Sequence, residues 1–160
     1  MKAGITGHQN LGAAETIAWV AENLERLVAA HQVQHGFTSL AIGADQLFAQ
    51  ILHEHGLPYT AVLPCHEIEK TFQTPAHLEN YRRLLQNAAA VETLDFIEPT
   101  EIAFMEAGKR VIDLADFVIA IWNGQPAKGL GGTADAVKYA RTQNKRVLHI
   151  NPITKQVAEL

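Results

Sequence analysis

The chain has 160 residues, of which 48% are hydrophobic and 19% are charged, and its formal net charge at pH 7 is −4. This composition is typical of one globular domain, and the lack of a basic excess argues against duplex nucleic acid as a partner. No apolar run could span a bilayer and no signal-peptide pattern follows Met1. Because Cys65 is the only cysteine, an internal disulfide is excluded. We therefore expect a cytoplasmic protein with no membrane partner.

Strands and helices alternate along the chain. The apolar periodicities predict, in order, strand 2–6, helix 13–35, strand 38–42, helix 45–55, strand 59–63, helix 77–87, strand 90–93, helix 101–115, strand 117–122, helix 133–143 and strand 147–150. Short β-branched strands between amphipathic helices favour a parallel sheet covered on both faces. We predict an α/β fold, a single three-layer domain over residues 1–160. Its Rossmann-like, doubly wound parallel sheet has the predicted strand order 3-2-1-4-5-6.

Three glycine-containing turns connect strands to helices, and in this topology they meet at one edge of the sheet, where the winding reverses beside the first strand. They hold the ligand-binding candidates, which are Gly7, His8, Gln9 and Asn10 in the first turn, Gly43, Ala44 and Asp45 in the second, and Trp122, Asn123, Lys128, Gly129, Gly131, Gly132, Thr133 and Asp135 in the third. Their predicted convergence indicates a single ligand crevice.

The third turn has the pattern of an anion site. An apolar strand leads into a glycine loop at residues 128–132, and a helical pattern starts at Thr133. Glycines let the backbone approach a ligand, and the first N–H groups of a helix attract a phosphate. The alternative is an ordinary helix entry with Thr133 as N-cap.

Individual side chains in the turns also have structural alternatives. Asp45 and Asp135 suit helix starts as caps or dipole partners, and they suit contacts with ribose hydroxyls equally. His8 is either a surface turn residue or a donor to phosphate near neutral pH. Trp122 is suited to stacking on a base and to filling the core. The basic residues on helices, Lys109 among them, are expected to be solvated.

Three stretches resemble the SLOG superfamily of Rossmann-like domains, which includes the DNA-processing protein A core and the Lonely Guy-type phosphoribohydrolases. They are Gly-Ile-Thr-Gly-His-Gln at residues 4–9, Ala-Ile-Gly-Ala-Asp at 41–45, and residues 115–135, which end in Gly-Gly-Thr-Ala-Asp. The likeness is to small stand-alone members that begin with Gly-His-Arg, where Gln9 replaces the arginine. It implies a nucleotide-derived small-molecule ligand, AMP-like or ADP-ribose-like, with phosphate on residues 129–133.

One departure from the SLOG pattern bears on catalysis. The hydrolase branch carries Pro-Gly-Gly-x-Gly-Thr and a catalytic glutamate three residues after the threonine, where this chain has Ala136. A second resemblance, to deoxyribosyltransferases, places their glutamate on Ala136 as well. The catalytic residues are therefore left open, with Asp135 and His8 as the candidates.

Three functions stay open at this point. The first is binding or sensing of a nucleotide-derived molecule, without a cofactor. The second is an N-glycoside-cleaving enzyme, either a nucleoside 5′-monophosphate phosphoribohydrolase or a deoxyribosyltransferase-like protein. The third is a protein-interaction module, such as a homo-oligomer, in which residues 66–80 form a lid or an interface. No metal is expected, because Cys65 and His66 have no second pair of ligands nearby.

Overall fold

The structure, a computed structural model, describes residues 1–130 and 132–160. These residues form seven strands, β1 (Lys2–Gly7), β2 (His35–Thr38), β3 (Tyr59–Leu63), β4 (Ala90–Thr93), β5 (Phe117–Ile121), β6 (Arg146–Asn151) and β7 (Gln156–Glu159). Their helices are α1 (Ala14–Ala30), α2 (Ala44–Glu54), α3 (Pro75–Asn87), α4 (Glu101–Leu114) and α5 (Thr133–Thr142), with a 3₁₀ helix at Ile68–Thr71. Within this part of the chain, no helix is long and apolar enough to cross a membrane.

The strands form one sheet in the order β4-β3-β2-β1-β5-β6-β7. Strands β1 to β6 pair in parallel, and β7 is antiparallel to β6. The predicted order 3-2-1-4-5-6 is wrong at one point, because β4 lies at the edge beside β3 and β5 takes the central place next to β1. The cause is burial: every residue of β5 is buried, whereas Val91 in β4 is 50% exposed, and a central parallel strand must be covered on both faces.

The reversal of winding lies beside β1, as predicted. Helices cover both faces of the sheet, as the alternating residues of β5 show. Phe117, Ile119 and Ile121 pack in the core that includes α1 and α2, and Val118 and Ala120 pack against α4 and α5. The predicted three-layer α/β architecture is therefore confirmed.

Two elements lie several residues from their predicted bounds, and one strand was not predicted. Helix α1 ends at Ala30 rather than 35, because Gln32 takes a left-handed φ of 50° and turns the chain toward β2. Strand β2 lies before the predicted 38–42, because Lys2 pairs with His35 in the sheet and residues 39–43 form a turn. Strand β7 was not predicted, since all four of its residues are exposed and it has no apolar alternation.

The turn before α2 packs tightly on the turn after β1. Gly43 has φ 93°, and a Cβ atom built there would lie 2.4 Å from the carbonyl oxygens of both His8 and Gln9. Only glycine fits this position, because both the backbone conformation and the lack of space exclude a side chain.

We predict that Gly43→Ala lowers the free energy of unfolding by about 2 kcal/mol or more, from backbone strain and the clash together. Gly56→Ala is the matched control, since Gly56 also has a positive φ but no atom within 4 Å of a built Cβ, and it should cost only about 1 kcal/mol. Urea unfolding measures both values. Equal losses would show that the close approach to His8 and Gln9 contributes nothing.

Candidate functional site

Backbone hydrogen bonds join the three predicted turns at the carboxyl ends of β1, β2 and β5. The N–H of His8 donates to the carbonyl of Ile121 at 3.1 Å, and the N–H of Ala44 donates to the carbonyl of His8 at 3.1 Å. The N–H of Asn123 donates to the imidazole Nε2 of His8 at 3.0 Å. His8 therefore contacts both other turns and fixes their spacing.

Two cavities open on either side of this junction. The first, named here the α4 pocket, has a volume of about 450 Å³ and lies between the turns, α4 and α5. The second, the Trp122 pocket, has a volume of about 820 Å³. Five residues line both, namely His8, Gln9, Lys128, Gly132 and Thr133. We call these shared residues the waist, because the two pockets adjoin there, and we call the two pockets together the crevice.

Most of the predicted ligand-binding residues line this crevice. Besides the waist, the α4 pocket is lined by Gly7, Asp45, Gly129 and Asp135, and the Trp122 pocket by Asn10, Trp122 and Asn123. Gly43 and Ala44 line neither pocket, because they pack beneath the first turn and support it. Gly131 lies outside the described residues.

Helix α4 supplies a wall that the sequence analysis missed. The added residues are Glu101, Phe104, Met105, Gly108 and Lys109 of α4, with Ala136 and Tyr139 of α5. The prediction that Lys109 is simply solvated is wrong, since its Nζ lies 3.0 Å from Glu106 and 5.6 Å from the centre of the Tyr139 ring. A glycine inside a helix, Gly108, was the available signal, because such a glycine usually has a packing or functional reason.

Asp45 lies almost fully buried beside the α4 pocket. Its Oδ2 accepts hydrogen bonds from the N–H groups of Ser39 and Ala41, at 3.2 and 3.3 Å. Burial raises the pKa of this carboxyl to about 7, against the smaller lowering effect of the two backbone N–H groups. Oδ1 accepts no hydrogen bond from the described residues. Asp45 thus closes the turn before α2 rather than capping the helix, and it is one of the residues that line the α4 pocket.

The same turn is held by polar side chains from α2 and α3. Leu40 is buried with a left-handed φ of 58°. Its N–H donates to Thr38 Oγ1 and its carbonyl accepts from Gln46 Nε2, both at 3.1 Å. Gln46 Oε1 in turn accepts from Asn80 Nδ2 at 2.9 Å. A strained residue persists only where its surroundings fix it, so this edge of the pocket is preorganised.

His8 acts as a neutral ring. Its Nε2 accepts the Asn123 N–H, so the neutral imidazole carries its proton on Nδ1. Burial lowers the pKa of His8, and its hydrogen bond with the Asn123 side chain raises the pKa by a smaller amount. The interpretation of His8 as a surface turn residue is therefore wrong.

The start of α5 is open on the waist. The N-cap is Gly132, not Thr133 as the alternative proposed, and no side chain caps it. The N–H groups of Thr133 and Ala134 donate to none of the described residues. Lys128 forms no ion pair with any acidic side chain in the described part of the chain. Helix-start N–H groups together with a lysine are suited to an anion.

Trp122 stands between its pocket and the sheet. Its indole N–H donates to the carbonyl of Gln125 at 2.9 Å, and its ring centre lies 5.3 Å from that of His149. The ring is half-buried and lines the Trp122 pocket. It therefore packs on the protein with part of its surface and is accessible to a ligand with the rest.

The fold recurs in several solved structures. No protein-family model matches the sequence, and a comparison with curated proteins finds no match. DNA processing protein A from Helicobacter pylori is similar with a TM-score of 0.66 and 18% identity, over 93% of this chain and 64% of that chain. The same protein from Streptococcus pneumoniae has a TM-score of 0.67 and 17% identity, over 92% and 49%. A molybdenum cofactor binding protein from Rippkaea orientalis has a TM-score of 0.60 and 16% identity, over 94% and 76%.

The chain has the Rossmann-like fold of these structures. This confirms the fold that the sequence resemblance implied. The chain spans about two thirds and one half of the two DNA processing protein A chains. Because the identities are below 25%, these likenesses show the fold alone, and the use of the crevice has to be argued from the residues here.

The raised pKa of Asp45 predicts a pH dependence of stability. Because the folded state holds this proton to about pH 7 and the unfolded chain releases it near pH 4, the contribution of Asp45 to the free energy of unfolding falls as pH rises from about 4 to 7. We expect Asp45→Asn, which cannot ionise, to lack this fall. Urea unfolding from pH 4 to 8 gives the difference, and parallel curves for the two proteins would contradict the burial argument.

Proposed function

We propose that the protein binds a nucleotide-derived small molecule, AMP-like or ADP-ribose-like, with its phosphate at the start of α5. The supporting observation is that Lys128, Gly132 and Thr133 line both pockets at the waist. A phosphate there receives helix-start N–H groups and a lysine that has no competing ion pair in the described residues.

The crevice also has the polar groups that a ribose requires. Three acidic residues, Asp45, Glu101 and Asp135, line the α4 pocket. Carboxylates accept hydrogen bonds from vicinal hydroxyls, as the acidic residue of dinucleotide-binding folds does. An anion site next to acidic residues that can bind a sugar favours a nucleotide over inorganic phosphate alone.

Two of the solved structures bear on this proposal. The Helicobacter pylori protein binds single-stranded DNA, and the Rippkaea orientalis protein binds the molybdenum cofactor. A long nucleic acid is the less favoured ligand here, because the net charge is −4 and carboxylates line the α4 pocket, whereas single-strand binders present a positively charged groove.

We predict that Lys128→Ala weakens binding of AMP about 10-fold or more, since a hydrogen bond to a charged group contributes about 1.5–3 kcal/mol. Lys138→Ala is the matched control, because Lys138 is an equally exposed lysine on α5 that lines neither pocket. Isothermal titration calorimetry gives both affinities. A folded Lys128→Ala variant with the affinity of the native protein would remove Lys128 from the site. A native protein that binds no nucleotide at millimolar concentration would favour the interaction module.

N-glycoside cleavage is the second candidate, and one observation favours it. Asp45 and Asp135 line the same pocket, and the pKa of Asp45 is raised to about 7. Asp45 would donate its proton to the leaving base as the bond between base and sugar breaks, the side chain of Asp135 would stabilise the sugar cation, and water would add to the anomeric carbon and return a proton to Asp45. Pairs of carboxyls that differ in protonation state perform this division of labour in glycoside hydrolysis.

We nevertheless expect release of the base from AMP, cytokinin-type nucleotides or deoxynucleosides to be slow or absent. Ala136 stands where the related hydrolases carry their glutamate, and Oδ2 of Asp45 is already engaged by two backbone N–H groups. Chromatography of the free base measures turnover. A rate of about 1–10³ s⁻¹ that disappears in Asp135→Asn would establish an enzyme, while the same rate in both proteins would assign the chemistry elsewhere.

A further inference from the structure

Strand β7 leaves one edge of the sheet uncovered. Every residue from Gln156 to Glu159 is exposed, and among the described strands β7 pairs with β6 alone. Its register with β6 is regular over four pairs, so the strand has no bulge, and it contains no proline. Bulges and prolines are devices by which natural proteins block an exposed edge. The outer edge of β7 is therefore open to another strand.

The hydrogen bonds to β6 show which backbone groups of β7 point outward. The N–H of Leu160 donates to the carbonyl of Val147 at 2.9 Å, and in an antiparallel ladder bonded and non-bonded pairs alternate. The even-numbered residues of β7 therefore bond to β6. The N–H and C=O groups of Val157 and Glu159 point away from the sheet, where they present two donors and two acceptors.

These outward groups are arranged symmetrically about Ala158. When a second β7 strand runs antiparallel with Ala158 opposite Ala158, Val157 of each copy lies opposite Glu159 of the other. All outward donors and acceptors of both strands are then paired. The two central side chains come closest, because a non-hydrogen-bonded pair has a Cα separation of about 4.5 Å, and alanine is small enough for that position. The strand is therefore complementary to a second copy of itself.

The start of the strand disfavours a shifted register. Lys155 has a left-handed φ of 56°, and its N–H donates to the carbonyl of Asn151 at 3.0 Å. The extended edge therefore begins at Gln156. A register with Val157 opposite Val157 would need Lys155 as a further strand residue with an outward N–H, and that N–H is already used by the turn.

Charge favours the antiparallel orientation. Lys155 precedes the strand and Glu159 ends it. Antiparallel pairing brings the lysine of one copy near the glutamate of the other, whereas parallel pairing places like charges side by side. Glu159 keeps its ion pair with Arg146 of its own chain, at 2.8 Å, and gains a second cation nearby.

We propose that two copies of the chain associate by antiparallel pairing of β7 with β7, which joins their sheets across a two-fold axis at Ala158. Two-fold dimers are the commonest assemblies, because one surface serves both copies. A contact between four-residue strands is smaller than the interface of a permanent dimer, so the association depends on concentration. This interface goes beyond the proposed function, since no residue of β7 lines the α4 pocket or the Trp122 pocket.

Analytical ultracentrifugation from about 1 µM to 1 mM protein tests the association. The 17.5 kDa chain should shift toward twice its mass as concentration rises. Val157→Pro removes an outward N–H and leaves the ladder with β6 complete, so this variant should stay monomeric. Ala158→Asp should also stay monomeric, because like charges meet at the two-fold axis. Thr154→Asp is the matched control, which adds the same charge in the exposed turn before β7 and should dimerise like the native chain.

A disulfide tests the register and needs no variant that breaks the contact. Ala158→Cys places two thiols opposite each other at a Cα separation that a disulfide can bridge. Gln156→Cys is the control on the same exposed strand, since Gln156 lies opposite Leu160 of the other copy. The native Cys65 is buried. With copper phenanthroline as oxidant, Ala158→Cys should form a covalent dimer and Gln156→Cys should not.

Each outcome decides for or against the β7 interface, with circular dichroism as the check that the variants are folded. A native chain that stays monomeric at about 1 mM would overturn the proposal. A dimer that persists in folded Val157→Pro and Ala158→Asp would place the interface on another face and overturn it as well. Equal crosslinking of Ala158→Cys and Gln156→Cys would contradict the register centred on Ala158.

Discussion

The contact between the first and second turns sets the geometry of the whole crevice. A Cβ on Gly7 would lie 2.4 Å from the Cβ of Ala44, and one on Gly43 would lie 2.4 Å from two carbonyl oxygens. This close approach lets the Ala44 N–H reach the His8 carbonyl while the His8 N–H reaches Ile121 on the other side. Three strand ends are thereby held at fixed spacing. The start of α5 and the wall formed by α4 are arranged around these three joined turns.

Because the three turns are held in place, acidic and basic side chains of the crevice can stay apart over a short distance. Asp45 is held by backbone N–H groups of its own turn, so its carboxyl stays on the α4 side. Lys128 belongs to the loop before α5, on the waist. A flexible crevice would let opposite charges collapse onto each other. Preorganisation of this kind reduces the entropy that a ligand must remove when it binds.

The sequence predicted those parts of the fold that depend on strong local patterns. The buried β5 run and the helix from Thr133 have their predicted starts, since an apolar strand and a glycine-bounded helix are read from neighbouring residues. The position of β4 in the sheet could not be predicted in this way. An edge strand and a central strand can have the same length, and they differ in what covers them. The residues from Thr38 to Ile42 also have the composition of a strand, and only the pairing of β2 with its neighbours shows that the strand ends at Thr38.

The predicted site shows the same division between local and non-local information. The glycine turns were found because each has a local pattern, and parallel topology then implied that they meet. The α4 wall has no such pattern: Phe104, Met105 and Lys109 are ordinary helix residues, and they reach the crevice because α4 packs under β1 and β3. Likewise, no rule on sequence spacing predicts that Asp45 loses its charge near neutrality, since its burial comes from α2 packing on β1 and β2.

Asp135 shows that the angular position of a residue on α5 does not by itself decide whether it lines the pocket. Residues 135 and 136 are separated by about 100° around α5, which suggests that an aspartate at 135 cannot replace a glutamate at 136. The α4 pocket is nevertheless lined by both Asp135 and Ala136, because it spans a broad part of the first turn of the helix. Both positions therefore line the pocket, and this chain differs from the hydrolases it resembles in carrying alanine at position 136 and a shorter acid at position 135.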